Sequence, residues 1–168
     1  SGLRDFSFKF KIYILSVFIL SAGSLPLAIL LLKILDLHLS IALIPIYYMI
    51  SNVASAFFST WAGKMADKFG DSRIIVSGYI FLILGYMVLG LAGSIPALIF
   101  GFILIGVFSA LTDGMQRSYT ANLTSEEMRS SAYGFLNGVS GFGAIVAGIF
   151  GGYTWQHFGK TPAATLLF

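Results

Sequence analysis

Long stretches without a charged residue constrain this fold more than any other feature of the sequence. Such stretches cover residues 12–32, 41–63, 74–112 and 130–156. A helix crosses the hydrocarbon core of a bilayer with about 20 mainly apolar residues, so each stretch is long enough for one crossing and the third for two. Because only 10% of the residues are charged and 57% are hydrophobic, the composition is that of a membrane protein. The sequence therefore predicts an all-α, polytopic bundle of transmembrane helices.

A break in the third stretch divides it into two spans. The sequence there is AGSIP, in which Gly and Ser permit a turn and Pro96 suits the first turn of a helix but not its interior. We treat residues 1–168 as one transmembrane domain with spans at 12–32, 41–63, 74–91, 96–115 and 126–153. A further span is expected to begin at residue 161, but too few residues follow for a crossing. We therefore expect the sequence to be a fragment.

The distribution of Lys and Arg predicts the orientation, because short loops rich in these residues stay in the cytoplasm. With the N-terminus inside, eight of the ten basic residues lie on the cytoplasmic side, namely Arg4, Lys9, Lys11, Lys64, Lys68, Arg73, Arg117 and Arg129. We predict a multi-pass protein of a bacterial-type inner or plasma membrane. The net charge of +3 follows from this topology and requires no nucleic-acid partner.

Several kinds of chemistry are excluded or unexpected. The sequence contains no Cys, which excludes disulfides, thiol catalysis and Cys-ligated metal sites. His38 and His157 have no second ligand at helical spacing, so no metal is expected. There is also no Ser/His/Asp set and no phosphate-binding loop. We predict that the protein is not an enzyme and needs no cofactor.

The stretch GKMADKFGDSR lies between the second and third predicted spans. It has Gly63, Asp67, Lys68 and Gly70 at the spacing Gly-x-x-x-Asp-Lys-x-Gly, followed by Arg73. This arrangement resembles the loop signature of the major facilitator superfamily. The resemblance implies a gating loop on the cytoplasmic side of a transporter.

Two residues of this stretch depart from the signature, since Asp71 and Ser72 stand where basic residues are typical. The resemblance implies that Asp67 meets a helix of the other half of the transporter and helps to hold the cytoplasmic side closed. A carboxylate is well suited to a positively polarised helix N-terminus. The alternative is a solvated turn whose charges only set the topology.

The order of elements after residue 112 resembles the tenth and eleventh helices of bacterial members of the superfamily. An acidic-Gly pair is followed by an Arg, a short polar loop, a second Arg and a Gly-rich helix. The resemblance implies the C-terminal half, helices seven to eleven and the start of twelve, with a missing N-terminal half, the lipid bilayer and a small-molecule substrate as partners. It implies a secondary active transporter that works by alternating access. The alternative is a non-transporting scaffold or sensor that keeps the fold.

An internal similarity supports inverted three-helix repeats. Sliding the sequence by 85 residues superposes YMISNVASAF on YGFLNGVSGF, which pairs Tyr48 with Tyr133, Asn52 with Asn137 and Ser55 with Ser140. The two segments belong to middle helices of successive triplets that cross the bilayer in opposite directions. At about 100° per residue each set forms a polar stripe. The stripes are interpreted either as a substrate pathway or as interhelical hydrogen bonding.

Three further patterns concern helix ends and helix packing. Asp113 and Arg117 are four residues apart and are expected to pair, or to form a gate, at the cytoplasmic end of the fourth span. Thr124 and Glu127 have the spacing of a capping box. Five glycines share one face of the fifth span and are expected to pack closely against a neighbouring helix, namely Gly134, Gly138, Gly141, Gly148 and Gly152.

Overall fold

The computed structural model describes residues 6–158, apart from the side chains of residues 36, 155, 156 and 158. Five segments in this range are long and apolar enough to cross a membrane, and no strand occurs in it. Arg4 and Lys160 lie outside the described residues. The span that was expected to begin at residue 161 also lies outside them. The helices are α1 Phe8–Ala22, α2 Leu27–Asp36, α3 Ile44–Phe69, α4 Asp71–Leu91, α5 Ile95–Asn122 and α6 Arg129–Phe158.

The first span is two helices rather than the single helix expected over residues 12–32. α1 ends at Ala22 and α2 begins at Leu27, with Pro26 as its N-cap residue. Pro has no backbone N–H and cannot continue a helix, so a helix that reaches it from the N-terminal side stops or kinks. The break frees the carbonyl of Leu25, which accepts a hydrogen bond from the Tyr86 hydroxyl of α4 at 3.4 Å.

The segment expected as a loop between the second and third spans is almost entirely helical. α3 continues to Phe69, and α4 begins at Asp71, so the connection is Gly70 alone. Gly70 has φ of 89°, a conformation that residues with a side chain rarely adopt. The loop prediction was therefore wrong for Gly63, Asp67 and Lys68, which lie on the last turns of α3.

α5 lies at the centre of the bundle. In its most apolar window 56% of the residues are buried, compared with 17–33% in the other four spans. Phe102 and Leu98 of α5 are fully buried in a core that also holds Leu89 of α4, Ile34 of α2 and Tyr47 of α3. α5 packs along α3 on one side and along α4 on the other.

α1 forms the third long packing contact, with α6. Its N-terminal half joins Ala132 and Leu136 of α6 in an apolar cluster that contains a stacked Phe6–Phe10 ring pair, 4.5 Å between centroids. Further along, Phe18 stacks on Phe142 at 5.9 Å. In an inverted repeat of three spans, the pairs α3–α5 and α1–α6 are equivalent, and both pack across the two triplets, as α4–α5 also does.

The glycines that pack α6 against its neighbours differ from those expected. A methyl group added at Gly143 would lie 2.6 Å from Ser21 Cβ, and one at Gly151 would lie 2.5 Å from Leu25 Cδ2. The predicted glycine contact was wrong, because Gly148 has only Pro26 at 3.8 Å and the other four have open space, namely Gly134, Gly138, Gly141 and Gly152.

The capping box expected before α6 is also absent from the described structure. Ser125 precedes a short 3-10 turn, Glu126–Met128, and its side chain accepts no capping hydrogen bond. The Thr124 hydroxyl instead donates to the Thr120 carbonyl at 2.8 Å. Glu126 lies 4.0 Å from Arg129, Oε1 to Nη1, where α6 begins.

Candidate functional site

A cavity of about 300 Å³ opens between α2, α3, α4 and α5. About half of its lining residues are polar. Polar side chains are costly inside a membrane, so a group of them around one cavity is unusual in such an apolar bundle. The polar lining residues are Ser24, Tyr48, Ser51, Asn52, Ser55, Tyr86, Ser109 and Asp113.

The wall contributed by α3 carries the first predicted polar stripe. Tyr48, Asn52 and Ser55 all line the cavity. The Asn52 amide donates to the Tyr48 carbonyl at 2.8 Å, and the hydroxyl of buried Ser51 donates to the same carbonyl at 2.8 Å. These bonds run along α3 itself, so they do not join it to another helix.

The wall contributed by α5 lies close to α3 because Gly106 has no side chain. A methyl group there would collide with the backbone carbonyl of Ser51 and would lie 2.7 Å from Ala54 Cβ. One to two turns further along α5, Ser109 and Asp113 reach the cavity from positions four apart, which share a helix face. The close helix contact thus sets the two polar walls beside each other.

Asp113 lies deeper in its helix than expected. The fourth span was predicted to end near residue 115, but α5 continues to Asn122. Asp113 is nine positions before that last residue, about 14 Å along the axis. No ion pair within 4 Å joins Asp113 to Arg117 in the part of the chain that the structure describes, although the charge of Arg117 acts on Asp113 at longer range.

The remaining polar walls were not identified from the sequence. Ser24 lies at the α1–α2 break and Tyr86 comes from α4. Two signals could have found this part of the site. Pro26 marks a break inside the first span, and Ser109 stands one turn before Asp113 in an otherwise apolar run.

The second predicted stripe lies outside this cavity. Tyr133 of α6 packs at the edge of the apolar α1–α6 cluster, Asn137 is exposed, and Ser140 is half-buried. None of the three lines the cavity between α2 and α5. The structure therefore does not bring the two stripes together.

The residues of the loop signature lie at the α3–α4 junction, away from the cavity. Asp67 and Arg73 are exposed, and the Lys68 ammonium lies 5.2 Å from the centre of the Phe69 ring. Asp71, which differs from the loop signature, has a partner that the sequence did not indicate. Its Oδ2 accepts a hydrogen bond from the Asn122 amide at 3.2 Å, which joins the start of α4 to the end of α5.

Metal ligation finds no support in residues 6–158, where no three His, Cys, Asp or Glu side chains are grouped as a metal ion requires. His38 lies in the α2–α3 connection. His157 is on the last turn of α6, where its ring stacks on Tyr153 at 4.0 Å.

Five apolar spans, four of which line a polar cavity, define an integral, multi-pass helical membrane protein. Residues 12–168 match the model of the Major Facilitator Superfamily, and the chain belongs to that family. The fold is half of a major facilitator bundle. The family is one of transporters, a class of protein distinct from enzymes.

Curated relatives include transporters of several kinds. The chain is 32% identical to an uncharacterized MFS-type transporter of Methanocaldococcus jannaschii over 99% of this chain and 43% of the relative. It is 30% identical to the class B tetracycline resistance protein of Escherichia coli over 62% of this chain and 26% of that protein.

A third relative is a facilitated glucose transporter, member 4 of solute carrier family 2, of Mus musculus, 32% identical over 66% of this chain and 20% of that protein. The chain spans less than half the length of the curated relatives it matches. No solved structure shows a significant match to it.

Proposed function

We propose that this chain is the C-terminal half of a secondary active transporter that moves a small solute by alternating access, and that the cavity between α2 and α5 is its share of the pathway. The observation that carries the proposal is the polar lining of the cavity by Tyr48, Asn52, Ser55 and Asp113. Polar and ionisable side chains are costly inside a membrane and usually mark solute or ion pathways.

A substitution that fills the cavity tests whether the cavity is part of the transport pathway. Ser55→Trp places a large ring among the lining residues, and we expect it to lower transport by the reconstituted protein at least tenfold while the protein still folds. The matched control is Phe57→Trp, two positions along α3, because Phe57 is 76% exposed and does not line the cavity. Full transport by Ser55→Trp would contradict the proposal.

The proposed partner of the chain is an N-terminal half in the same transporter. This chain aligns with 43% of the Methanocaldococcus jannaschii transporter, which fits one half of a longer protein. The names of two relatives refer to chemically different solutes, tetracycline and glucose, and therefore do not identify the solute of this transporter. A flux assay of the reconstituted transporter against a panel of small solutes would identify it.

The proposed orientation has the N-terminus and the α3–α4 junction in the cytoplasm. The support is the excess of basic residues at that end of the helices. A thiol introduced as Lys68→Cys should resist a membrane-impermeant reagent applied to intact cells. Gly93→Cys, in the exposed α4–α5 turn, should react. The reverse pattern would invert the topology.

The proposed role of Asp67 is to hold the cytoplasmic side closed by contact with a helix terminus of the other half. Asp67 is exposed at the end of α3 and has no ion pair in the described part of the chain, so its carboxylate is available. A charge at a helix end contributes about 0.3–2 kcal/mol, enough to shift a balanced two-state equilibrium several-fold.

The test of that role is Asp67→Asn, which should lower transport several-fold with normal expression and membrane insertion. Glu127→Gln removes an exposed carboxylate that is not part of the loop signature and serves as the control. Unaltered transport kinetics in Asp67→Asn would leave Asp67 as a residue that only sets topology.

A further inference from the structure

The charge of the cavity distinguishes it from an ordinary polar site. Of the described residues that line it, Asp113 alone is charged, and the other polar groups are hydroxyls and one amide. None of the lining residues from α2, α3 or α4 is basic. A site of this composition attracts cations and offers nothing that would neutralise an anion.

The nearest basic residue on the same helix acts on Asp113 through its charge but makes no close ion pair with it. Arg117 is one turn further along α5 and is exposed, and the two side chains form no ion pair within the described structure. A carboxylate well inside a membrane helix is normally paired, because an isolated charge there is costly. The cavity itself is the space from which a positively charged partner can reach Asp113.

Aromatic rings around the same cavity narrow the kind of cation. Tyr48 of α3, Tyr86 of α4 and Phe108 of α5 all line it. Carboxylates together with aromatic faces recognise ammonium groups that carry carbon substituents, because the rings attract the cation without requiring hydrogen-bond donors from it. A volume of about 300 Å³ lies at the lower end of the range for small-molecule sites.

We propose that this cavity binds the ammonium group of a small organic cation, with Asp113 as the counter-ion and the rings of Tyr48, Tyr86 and Phe108 around it. The inference rests on the proposed function, since it names the class of solute that the pathway accepts. It goes beyond that function because a pathway through this cavity could equally serve a neutral solute.

Probes that differ in charge alone test the inference. Choline and 3,3-dimethyl-1-butanol have the same shape, but the second carries a tert-butyl group in place of the trimethylammonium group. We expect the purified full-length protein to bind choline and phenyltrimethylammonium, measured by equilibrium dialysis with labelled probe. The neutral alcohol should not compete. Binding of neither cation, or equal competition by the alcohol, would overturn the inference.

Substitutions at the carboxylate complete the experiment. Asp113→Asn should weaken choline binding about 10- to 100-fold, as expected for loss of a charged interaction, and Asp113→Glu should restore most of it. Arg117→Gln should strengthen binding, because it removes a positive charge one turn away. Glu127→Gln is the control and should bind as the unmodified protein does.

Two outcomes separate this inference from the proposed function. If Asp113→Asn leaves choline affinity unchanged, Asp113 stabilises the fold or interacts with Arg117, and the inference is overturned. That conclusion holds even when Ser55→Trp still blocks transport of another solute. If Ser55→Trp leaves transport intact while Asp113→Asn abolishes choline binding, the cation site stands and the pathway proposal fails.

Discussion

Two helix pairs that join the triplets, α3–α5 and α1–α6, occupy equivalent places in the fold but differ in chemistry. Between α3 and α5 the contact is a glycine against a backbone carbonyl, with a polar cavity and a carboxylate beside it. Between α1 and α6 a glycine is also close, with Gly143 against Ser21, but the surrounding side chains are apolar and include the stacked rings of Phe18 and Phe142. Equivalent packing has been retained while the polar chemistry is concentrated beside one pair.

The two asparagines that the internal repeat pairs, Asn52 and Asn137, show the same difference. Asn52 is the ninth residue of α3 and Asn137 the ninth of α6, counting from Ile44 and Arg129. Each therefore lies about 12 Å from the start of its helix, and the helices run in opposite directions. Both side chains are exposed, but Asn52 lines the cavity and Asn137 lies outside it. Equal position in a repeat does not imply equal surroundings.

The largest expected effect is at the α3–α5 contact. Gly106→Ala would place a methyl group against the Ser51 backbone carbonyl, which cannot turn aside as a flexible side chain can. We expect a loss of about 3 kcal/mol, seen as a lower temperature at which half of the detergent-solubilised protein loses its monodisperse peak. A stability equal to that of the unmodified protein would contradict the close contact.

The matched substitutions are on α6. Gly143→Ala meets Ser21 Cβ at 2.6 Å and backbone atoms at 3.1 Å or more, so we expect a loss of about 2 kcal/mol, smaller than at Gly106. Gly138→Ala enters open space and should be neutral, or stabilising by up to about 1 kcal/mol through helix propensity. A ranking with Gly138→Ala as the most harmful would reverse the comparison.

Much of the fold could be predicted because the bilayer imposes helices and their lengths. The uncharged stretches located five spans, and the AGSIP turn falls where α4 ends at Leu91 and α5 begins at Ile95. The break at Pro26 was missed because the run over residues 12–32 is uncharged and has the length of a single crossing, although residues 22–26, AGSLP, carry the same turn pattern as AGSIP.

The site was less predictable because it depends on which face meets which helix. Helical spacing found Tyr48, Asn52 and Ser55 on one face, but it could not show that Asp113 and Tyr86 would line the same cavity. The glycines of α6 share a face, yet spacing does not say whether a neighbour covers that face. The Asp71–Asn122 bond joins residues 51 positions apart and leaves no local signal.

The next effect concerns the α3–α4 junction, which tests whether the signature glycines have different roles. Gly70→Ala should destabilise the protein by about 1–3 kcal/mol, because φ of 89° is strained for a residue with Cβ. Gly63→Ala, in the helix with nothing within 4 Å, should be neutral or stabilising by up to about 1 kcal/mol. Equal losses in the same thermal assay would refute the assignment.

The smallest expected effect is at the Asp71–Asn122 bond, which links α4 to the central helix. Asp71→Ala and Asn122→Ala should each cost about 0.5–1 kcal/mol, because the bond is exposed. The double substitution should cost less than the sum of the two, which a double-mutant cycle measures. Strict additivity would mean that the bond contributes nothing.

The most direct test of the central claim compares the two asparagines as thiols. This chain contains no Cys, so Asn52→Cys and Asn137→Cys each introduce its single reactive group. If the cavity beside α3 and α5 is the pathway, a small charged thiol reagent should modify Asn52→Cys. The solute identified by flux should slow that reaction and leave the rate at Asn137→Cys unchanged. Protection at Asn137→Cys with none at Asn52→Cys would contradict the account.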